Sequence, residues 1–369
     1  MKAKNFLMTS FGLLLLFFST YIALFYFQIG APIKAEWWIN SSYHYKDYRA
    51  ENIKQKKIII AGGSNALVGI NSKTIEKITP YPVVNLATHA GLDLNFYYYK
   101  IKQHIRDGDI VVLPLEFNYY SRTDKISDWF SNNMMAWGGN YLKQLDSIDL
   151  IKFFIAAAPA DVYDGIKKKL KGKKTKNLSR QAVLEQLKLL WSQEIPKWRG
   201  YDYTSLNYFG DINASKPVTY LEDNDYGSAQ KIKISSHFLN MYKKIEVLIE
   251  QHHGTLYLTY PVTIRNRAFD LSTNESREYI EHLRLNLNNH NIDIQCNAAL
   301  FNMDRIFFFD THYHPNTYGA LIRSENLANC LNKLINNDSN KMSYHEAINH
   351  TNLLQKNLMD KVKKLSDDE

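Results

Sequence analysis

The sequence predicts an α/β fold built on a mainly parallel, doubly wound sheet. Three observations point there. Lys57–Gly62, Pro82–Ala87 and Asp109–Leu115 are short, nearly continuous apolar runs, the pattern of strands buried on both faces. Segments of helical length and spacing separate them, at Asn71–Ile78 and Asp93–Arg106. Turn residues bound the runs: Gly62-Gly63 closes the first, and Asp107-Gly108 marks the turn between the second helical segment and the third run. Strands alternating with helices make a parallel sheet whose ligands bind at the carboxyl ends of the strands.

The pattern lapses after Leu115. Residues 116–235 read as a long insertion beside the strand ends, with a helix over Ser179–Gln193 and an irregular stretch over Tyr201–Asp225. Such insertions often form lids. Order returns with a helix over His237–Gln251, a strand over Thr255–Tyr260 and a helix over Glu275–Asn289. Strands are expected over Asn291–Gln295 and Ile306–Phe309, and a helix over Tyr318–Leu334. The globular domain thus spans 57–335, and 336–369 reads as a polar tail, either a peripheral helix or a frayed end.

The N-terminus carries a different signal. Phe6–Ile29 holds 24 residues without a charge, long enough to cross a hydrocarbon core of about 30 Å. Lys2 and Lys4 precede it, which places residues 1–5 in the cytoplasm and the rest outside. A cleaved signal peptide has a shorter apolar core and a small-x-small site, so 6–29 is expected to stay as an anchor in the cytoplasmic (inner) membrane. Residues 30–56, rich in Trp and Tyr, suit a juxtamembrane stretch.

Of 369 residues 45% are hydrophobic and 22% charged, which excludes a disordered chain, and 25 tyrosines weakly suit a carbohydrate-facing or interfacial protein. The net charge of +8 is largely local, because seven lysines fall within Lys167–Lys176. This run is either a solvated helix end or loop, or a patch for anionic lipid or polymer. No nucleic-acid motif accompanies it, so no nucleic-acid partner is expected. Cys296 and Cys330 exclude a disulfide-framework protein; they either pair in an oxidising compartment or stay as buried thiols.

Two segments could do chemistry. At the end of the first strand, Gly62-Gly63-Ser64-Asn65 presents a hydroxyl at the sheet edge, with backbone amides beside it that could bind an oxyanion. A serine needs a base to become a nucleophile. Far along the chain, Asp310-Thr311-His312-Tyr313-His314 sets one carboxylate and two imidazoles on a single loop, and an acid there can orient a histidine ring. His314 is the preferred base, with His312 as the alternative. These three residues could also ligate a metal, but no further ligand accompanies them, and neither metal nor cofactor is expected.

In order and spacing these blocks resemble the SGNH (GDSL-like) hydrolase superfamily, in the membrane-anchored branch similar to polysaccharide O-acetylation proteins and the D-alanine transfer protein of teichoic acid synthesis. The likeness runs over Lys57–Leu334, the middle third excepted. It puts Ser64 in the nucleophile position, Asp310 and His314 in the acid and base positions, and the amides of Ser64 and Gly91 with the Asn118 side chain in the oxyanion hole. Gly91 belongs to the block Asn85–Gly91 and Asn118 to Leu113–Asn118. Four positions depart from the family pattern: Gly63 stands for an aspartate, Glu116 for a glycine, Tyr119 for an aspartate, and Thr311 where the acid usually lies. The resemblance implies a three-layer fold and an O-acyltransferase, with acetyl the expected group, acting on a cell-envelope or extracellular polysaccharide and supplied by a membrane-bound acyl-delivery protein. The alternatives are an esterase of such a polymer and a catalytically inactive, membrane-anchored binding or assembly subunit.

Overall fold

The computed structural model describes residues 2–175, 177–193, 196–212, 232–338 and 340–367. The chain divides into two compact units, one of residues 1–40 and 125–178 and the other of 41–124 and 179–369.

The larger unit holds the sheets. Its strands are β1 (Ile58–Ile60), β2 (Val83–Asn85), β3 (Ile110–Pro114), β4 (Thr255–Thr259), β5 (Thr263–Arg265), β6 (Ile294–Gln295) and β7 (Asn302–Asp304). Five of them form one parallel sheet in the order β2-β1-β3-β4-β6. The first strand lies inside it, with Ile59 facing Val84 on one side and Val111 on the other, and every residue of β1 and β3 is buried. Continuous apolar sequence is what such positions demand.

Lys57, at the head of the first run, is fully buried too, because its Nζ meets Asp109 Oδ2 at 2.5 Å while Asp109 Oδ1 accepts from its amide at 3.0 Å. The parallel register sets the residue before β1 beside the residue before β3, so the two charges enter the core as a pair.

The helices of the chain are α1 (Lys2–Gln28), α2 (Trp37–Asn52), α3 (Ser64–Gly69), α4 (Ser72–Ile78), α5 (Leu94–His104), α6 (Asn118–Ser121), α7 (Asp128–Ala136), α8 (Gly139–Leu142), α9 (Ser147–Ala156), α10 (Pro159–Leu170), α11 (Arg180–Gln193), α12 (Ser236–Gln251), α13 (Asn274–Asn288), α14 (Thr317–Ile335) and α15 (Tyr344–Asp367). Local capping accounts for several starts: the Asn71, Ser235 and Thr273 side chains accept the amides of Thr74, Phe238 and Ser276.

Several expectations need correcting. Ile306–Phe309 is not a strand: Arg305–Phe307 forms a 3-10 turn, and Phe308 makes only an isolated bridge to Pro315. The nearby strand is β7, which pairs in parallel with the unforeseen β5 in a second, two-stranded sheet. Phe307 and Phe308 are apolar because they fill a cluster with Val262, Ile264, Met303, Ile322 and Val362.

That last residue belongs to the expected polar tail, whose helical alternative is the one observed, as α15, although the helix is packed rather than peripheral. It buries Ala347 and Val362, and its Gln355 Oε1 accepts from the Asp304 amide at 2.6 Å. Within residues 30–56, where no element was foreseen, lies helix α2. The expected insertion is divided, since 125–178 cluster with the N-terminal helix and the described residues from 179 onward with the sheet unit. Part of Tyr201–Asp225 lies outside the described residues.

The smaller unit is helical. Helix α1 contains one span, Ala3–Gln28, long and apolar enough to cross a membrane. Helices α7 to α10 complete this unit.

Candidate active site

The loops following β1, β2 and β3 leave the sheet at its carboxyl edge and are tied to one another there. After β1, Ala61-Gly62-Gly63 leads into α3, whose first residue is Ser64. The Thr88 amide, past β2, donates to the Gly62 carbonyl at 3.3 Å. The Asn65 side chain donates to the Pro114 carbonyl at 3.0 Å, and Glu116, just past β3, accepts from the Asn65 amide at 3.2 Å. Tyr119 donates to the carbonyls of Ala90 (3.2 Å) and Leu92 (2.9 Å), which holds the Gly91 loop against the β3 loop.

The loop of Asp310 and His314 reaches the same region. It leads into α14, and Arg323 of that helix, 1% exposed, donates through Nη2 to Asn65 Oδ1 at 2.6 Å and through Nη1 to the Asn65 carbonyl. A Cβ on Gly69 would strike this guanidinium and lie 2.9 Å from Pro315 Cγ, so α3 packs against the residue that follows His314. Asn316 pins the loop by accepting the amides of Tyr318 and Gly319, both at 3.1 Å, and donating to the Ile306 carbonyl at 2.8 Å. A side chain on Gly319 would run into the Phe307 carbonyl, which explains the glycine there.

The structure brings Asp310 and His314 together, with Oδ1 to Nδ1 at 2.8 Å. A residue that the sequence pattern does not single out completes this contact. Tyr201 donates its hydroxyl to Asp310 Oδ2, and its oxygen lies 2.9 Å from His314 Nδ1. Because the tyrosine proton goes to the carboxylate, Nδ1 carries the imidazole proton and shares it between Asp310 and Tyr201, leaving the Nε2 lone pair as the basic site. Burial alone would raise the Asp310 carboxyl, but the bond and charge of His314, with the Tyr201 hydroxyl, hold it below its ordinary value. The Tyr201 hydroxyl is pushed well up by burial first and then by Asp310, so it stays protonated. The only advance sign of Tyr201 was its place in a long insertion beside the strand ends.

His312, the alternative base, lies with its ring 4.4 Å from that of Tyr313. His314 is 8% exposed and Ser64 is partly exposed. Among the described residues neither the Ser64 hydroxyl nor His314 Nε2 makes a hydrogen bond, so both are uncommitted. Bonds of this kind are often loose until substrate binds.

The expected oxyanion donors differ in state. The Ser64 amide has no partner among the described residues. Asn118 is exposed at the start of α6. The Gly91 amide is engaged, since it donates to His89 Nδ1 at 2.9 Å, and it can meet a substrate only if that ring turns aside.

A Cβ on Gly63 would lie 2.7 Å from Glu116 Oε2 and closer still to Oε1, so the Glu116 carboxylate fills the space beside Gly63 where a side chain would begin. Glu116 is 2% exposed, and its Oε2 has no hydrogen-bond partner among the described residues. Its charge is opposed by Arg323, whose guanidinium burial lowers to about 9 and Glu116 supports. The residues after β3 thus place a carboxylate against the turn that leads into Ser64. Tyr119 serves as a tie between loops, as described above.

No protein-family model matches the chain, and no curated protein matches it in sequence.

Proposed function

We propose that the protein is a membrane-anchored serine acyltransferase of the SGNH type, with Ser64 as nucleophile, His314 as base and Asp310 as its orienting acid. The observation that carries this reading is the Asp310–His314–Tyr201 cluster, which protonates Nδ1 and leaves Nε2 basic on a loop packed beside the helix that Ser64 begins. The strand order, with its reversal between β1 and β3, supports a doubly wound sheet whose crevice lies at the carboxyl ends of those strands.

In the proposed reaction, His314 Nε2 takes the Ser64 proton as Oγ attacks the carbonyl of an acyl donor. The oxyanion is held by the Ser64 amide and Asn118, and by the Gly91 amide once His89 turns. The imidazolium, stabilised by Asp310, returns its proton to the leaving group, and the acyl group stays on Ser64. A sugar hydroxyl, deprotonated by His314 Nε2, then attacks the ester carbonyl; the imidazolium returns the proton to Ser64 Oγ as the acyl–Oγ bond breaks, and the sugar carries the acyl group away.

The apolar length of α1 and the Lys2/Lys4 bias support an anchor with the sheet unit outside the cytoplasm, in the periplasm or at the extracellular face. The Cys296–Cys330 disulfide supports an oxidising compartment. No cytoplasmic acyl thioester reaches such a site, so a partner membrane protein must deliver the group, and the acceptor is an envelope or extracellular polysaccharide.

The test is incubation of the full chain, in detergent, with p-nitrophenyl acetate, followed by peptide mass mapping. An acetyl adduct on the Ser64 peptide is expected, absent in Ser64→Ala. A folded wild-type protein that never acylates at Ser64 rejects the reading. Adding an oligosaccharide then separates transfer from hydrolysis, because an esterase releases acetate without acetylating the sugar.

A further inference from the structure

Within the smaller unit, two helices are fixed to the last turns of α1. Tyr21 donates to the Ala157 carbonyl at 3.2 Å. Phe25, fully buried, sits edge-on to Phe154 at 4.8 Å and to Phe153 at 6.2 Å, both residues of α9. Helix α10 approaches closely through Gly165, where a Cβ would lie 2.7 Å from Gln28 Oε1. At its end Lys169 Nζ donates to the carbonyls of Phe27 (2.7 Å) and Ile29 (2.6 Å), satisfying acceptors that the end of α1 leaves open.

The opposite face of α9 is apolar and uncovered. Ile148, Ile151 and Ile155 are 69%, 47% and 78% exposed, at the i, i+3, i+7 spacing that aligns them along one side of a helix. On α10, Tyr163 and Leu170, also seven residues apart, are exposed as well. Basic residues follow: Lys167, Lys168 and Lys169 in the last turn of α10, then Lys171, Lys173 and Lys174, with Lys176 outside the described residues.

Depth identifies what covers the apolar face. The Ala3–Gln28 span of 26 residues is about 39 Å long at 1.5 Å per residue. A hydrocarbon core of about 30 Å leaves its last turns at the boundary between acyl chains and headgroups. Tyr21 and Phe25 lie in those turns, so a helix packed on them shares that depth, and its outward isoleucines continue the lipid-facing surface of α1.

We propose that α9 and α10 form an interfacial platform, with Ile148, Ile151 and Ile155 seated in the outer acyl region of the bilayer and the lysines after α10 among anionic headgroups. The apolar face with its adjoining cations is the pattern of helices that lie in the membrane interface. The platform makes α1 a braced anchor with a fixed rotation about its axis. The proposal rests on α1 crossing a bilayer.

Nitroxide labelling of the full chain tests it. Both native cysteines are joined in a disulfide, so a label on Ile148→Cys, Ile151→Cys or Ile155→Cys has no competing free thiol. Each variant is placed in nanodiscs containing anionic lipid and read by collision with oxygen, which concentrates in lipid, and with a nickel chelate, which stays in water. Leu14→Cys in α1 and Gln181→Cys in α11 serve as lipid and water references. The three isoleucine positions are expected to resemble Leu14 in being open to oxygen and shielded from nickel. If Leu14 reads as lipid but all three read as Gln181 does, the platform is overturned and the anchor stands. If Leu14 also reads as water, the anchor reading fails and the platform with it.

Discussion

At the scale of single residues, Tyr201 has the most direct consequence for chemistry. Its hydroxyl is the second group holding the His314 ring, and Asp310 Oδ1 keeps the first contact when that hydroxyl is removed. Tyr201→Phe is therefore expected to retain the packing of its own ring against Trp198 (5.1 Å) and to lower the acylation rate roughly tenfold, while Asp310→Asn costs a hundredfold or more, within the range of about 10² to 10⁴ attributed to a positioned acid–base group. Stopped-flow release of p-nitrophenol from both variants checks this. Equal losses would show that the tyrosine orients the ring as strongly as the carboxylate. Gly63 and Glu116 supply a second prediction. Gly63→Ala places a methyl group against the Glu116 carboxylate, and overpacking of this kind costs about 1–3 kcal/mol. In Glu116→Ala that carboxylate is gone, so the double variant should be more stable than the sum of the two single losses by at least about 0.5 kcal/mol, the coupling expected of residues in contact. Denaturant melts of the four proteins measure it, and strict additivity would mean that the two sites do not meet.

At the scale of elements, α2 and α5 are joined by Asp47, which receives Lys100 Nζ at 2.8 Å and His104 Nε2 at 2.8 Å. Burial would raise the Asp47 carboxyl, but Lys100 and then His104 overcome it and bring it down to about 2. Burial pulls Lys100 down in spite of Asp47, so the pair stabilises by less than the lowering of the carboxyl alone implies. A carboxyl depressed by folding contributes stability above its unfolded value near 4, and that contribution fades as pH falls toward 2. The loss is at most about 2.5 kcal/mol, since lowering a carboxyl by one pH unit corresponds to roughly 1.4 kcal/mol. Denaturant titrations between those limits should show this slope in the wild type and a shallower one in Asp47→Asn, which is also expected to be less stable by about 3 kcal/mol at neutral pH because Lys100 stays buried without its carboxylate. Elements also show what could be read in advance. The runs that became β1, β2 and β3 were legible because a strand buried on both faces needs unbroken apolar sequence. Ile306–Phe309 has the same composition for a different reason: Phe307 and Phe308 are buried by packing against α14 and α15, with no ladder to pair in. In the other direction, α15 looked peripheral because its composition is polar, although single positions such as Ala347 and Val362 enter the core.

At the scale of the whole molecule, the Cys296–Cys330 disulfide joins the residue after β6 to the middle of α14, the helix that also clamps Asn65 through Arg323. Its separation of 34 residues corresponds, in the chain-entropy picture, to about 3–4 kcal/mol of stabilisation. Reduction, or a Cys296→Ser/Cys330→Ser pair, is expected to lower the thermal midpoint by several degrees; an unchanged midpoint would mean that the reduced chain is already held closed there by packing. By itself the sequence determined the parallel α/β architecture, the presence of an apolar N-terminal helix, and a loop carrying Asp310 and His314, because each of these is written in neighbouring residues through periodicity, turn chemistry and close spacing. Tertiary structure alone decided that Tyr201 joins Asp310 and His314 from 109 residues away, that Glu116 occupies the space beside Gly63, and that residues 125–178 cluster with α1. Those outcomes depend on where distant segments meet. A chain's local pattern specifies which face of an element must be buried, while the partner that buries it is chosen by the path of the chain and the fit of the surfaces it brings together.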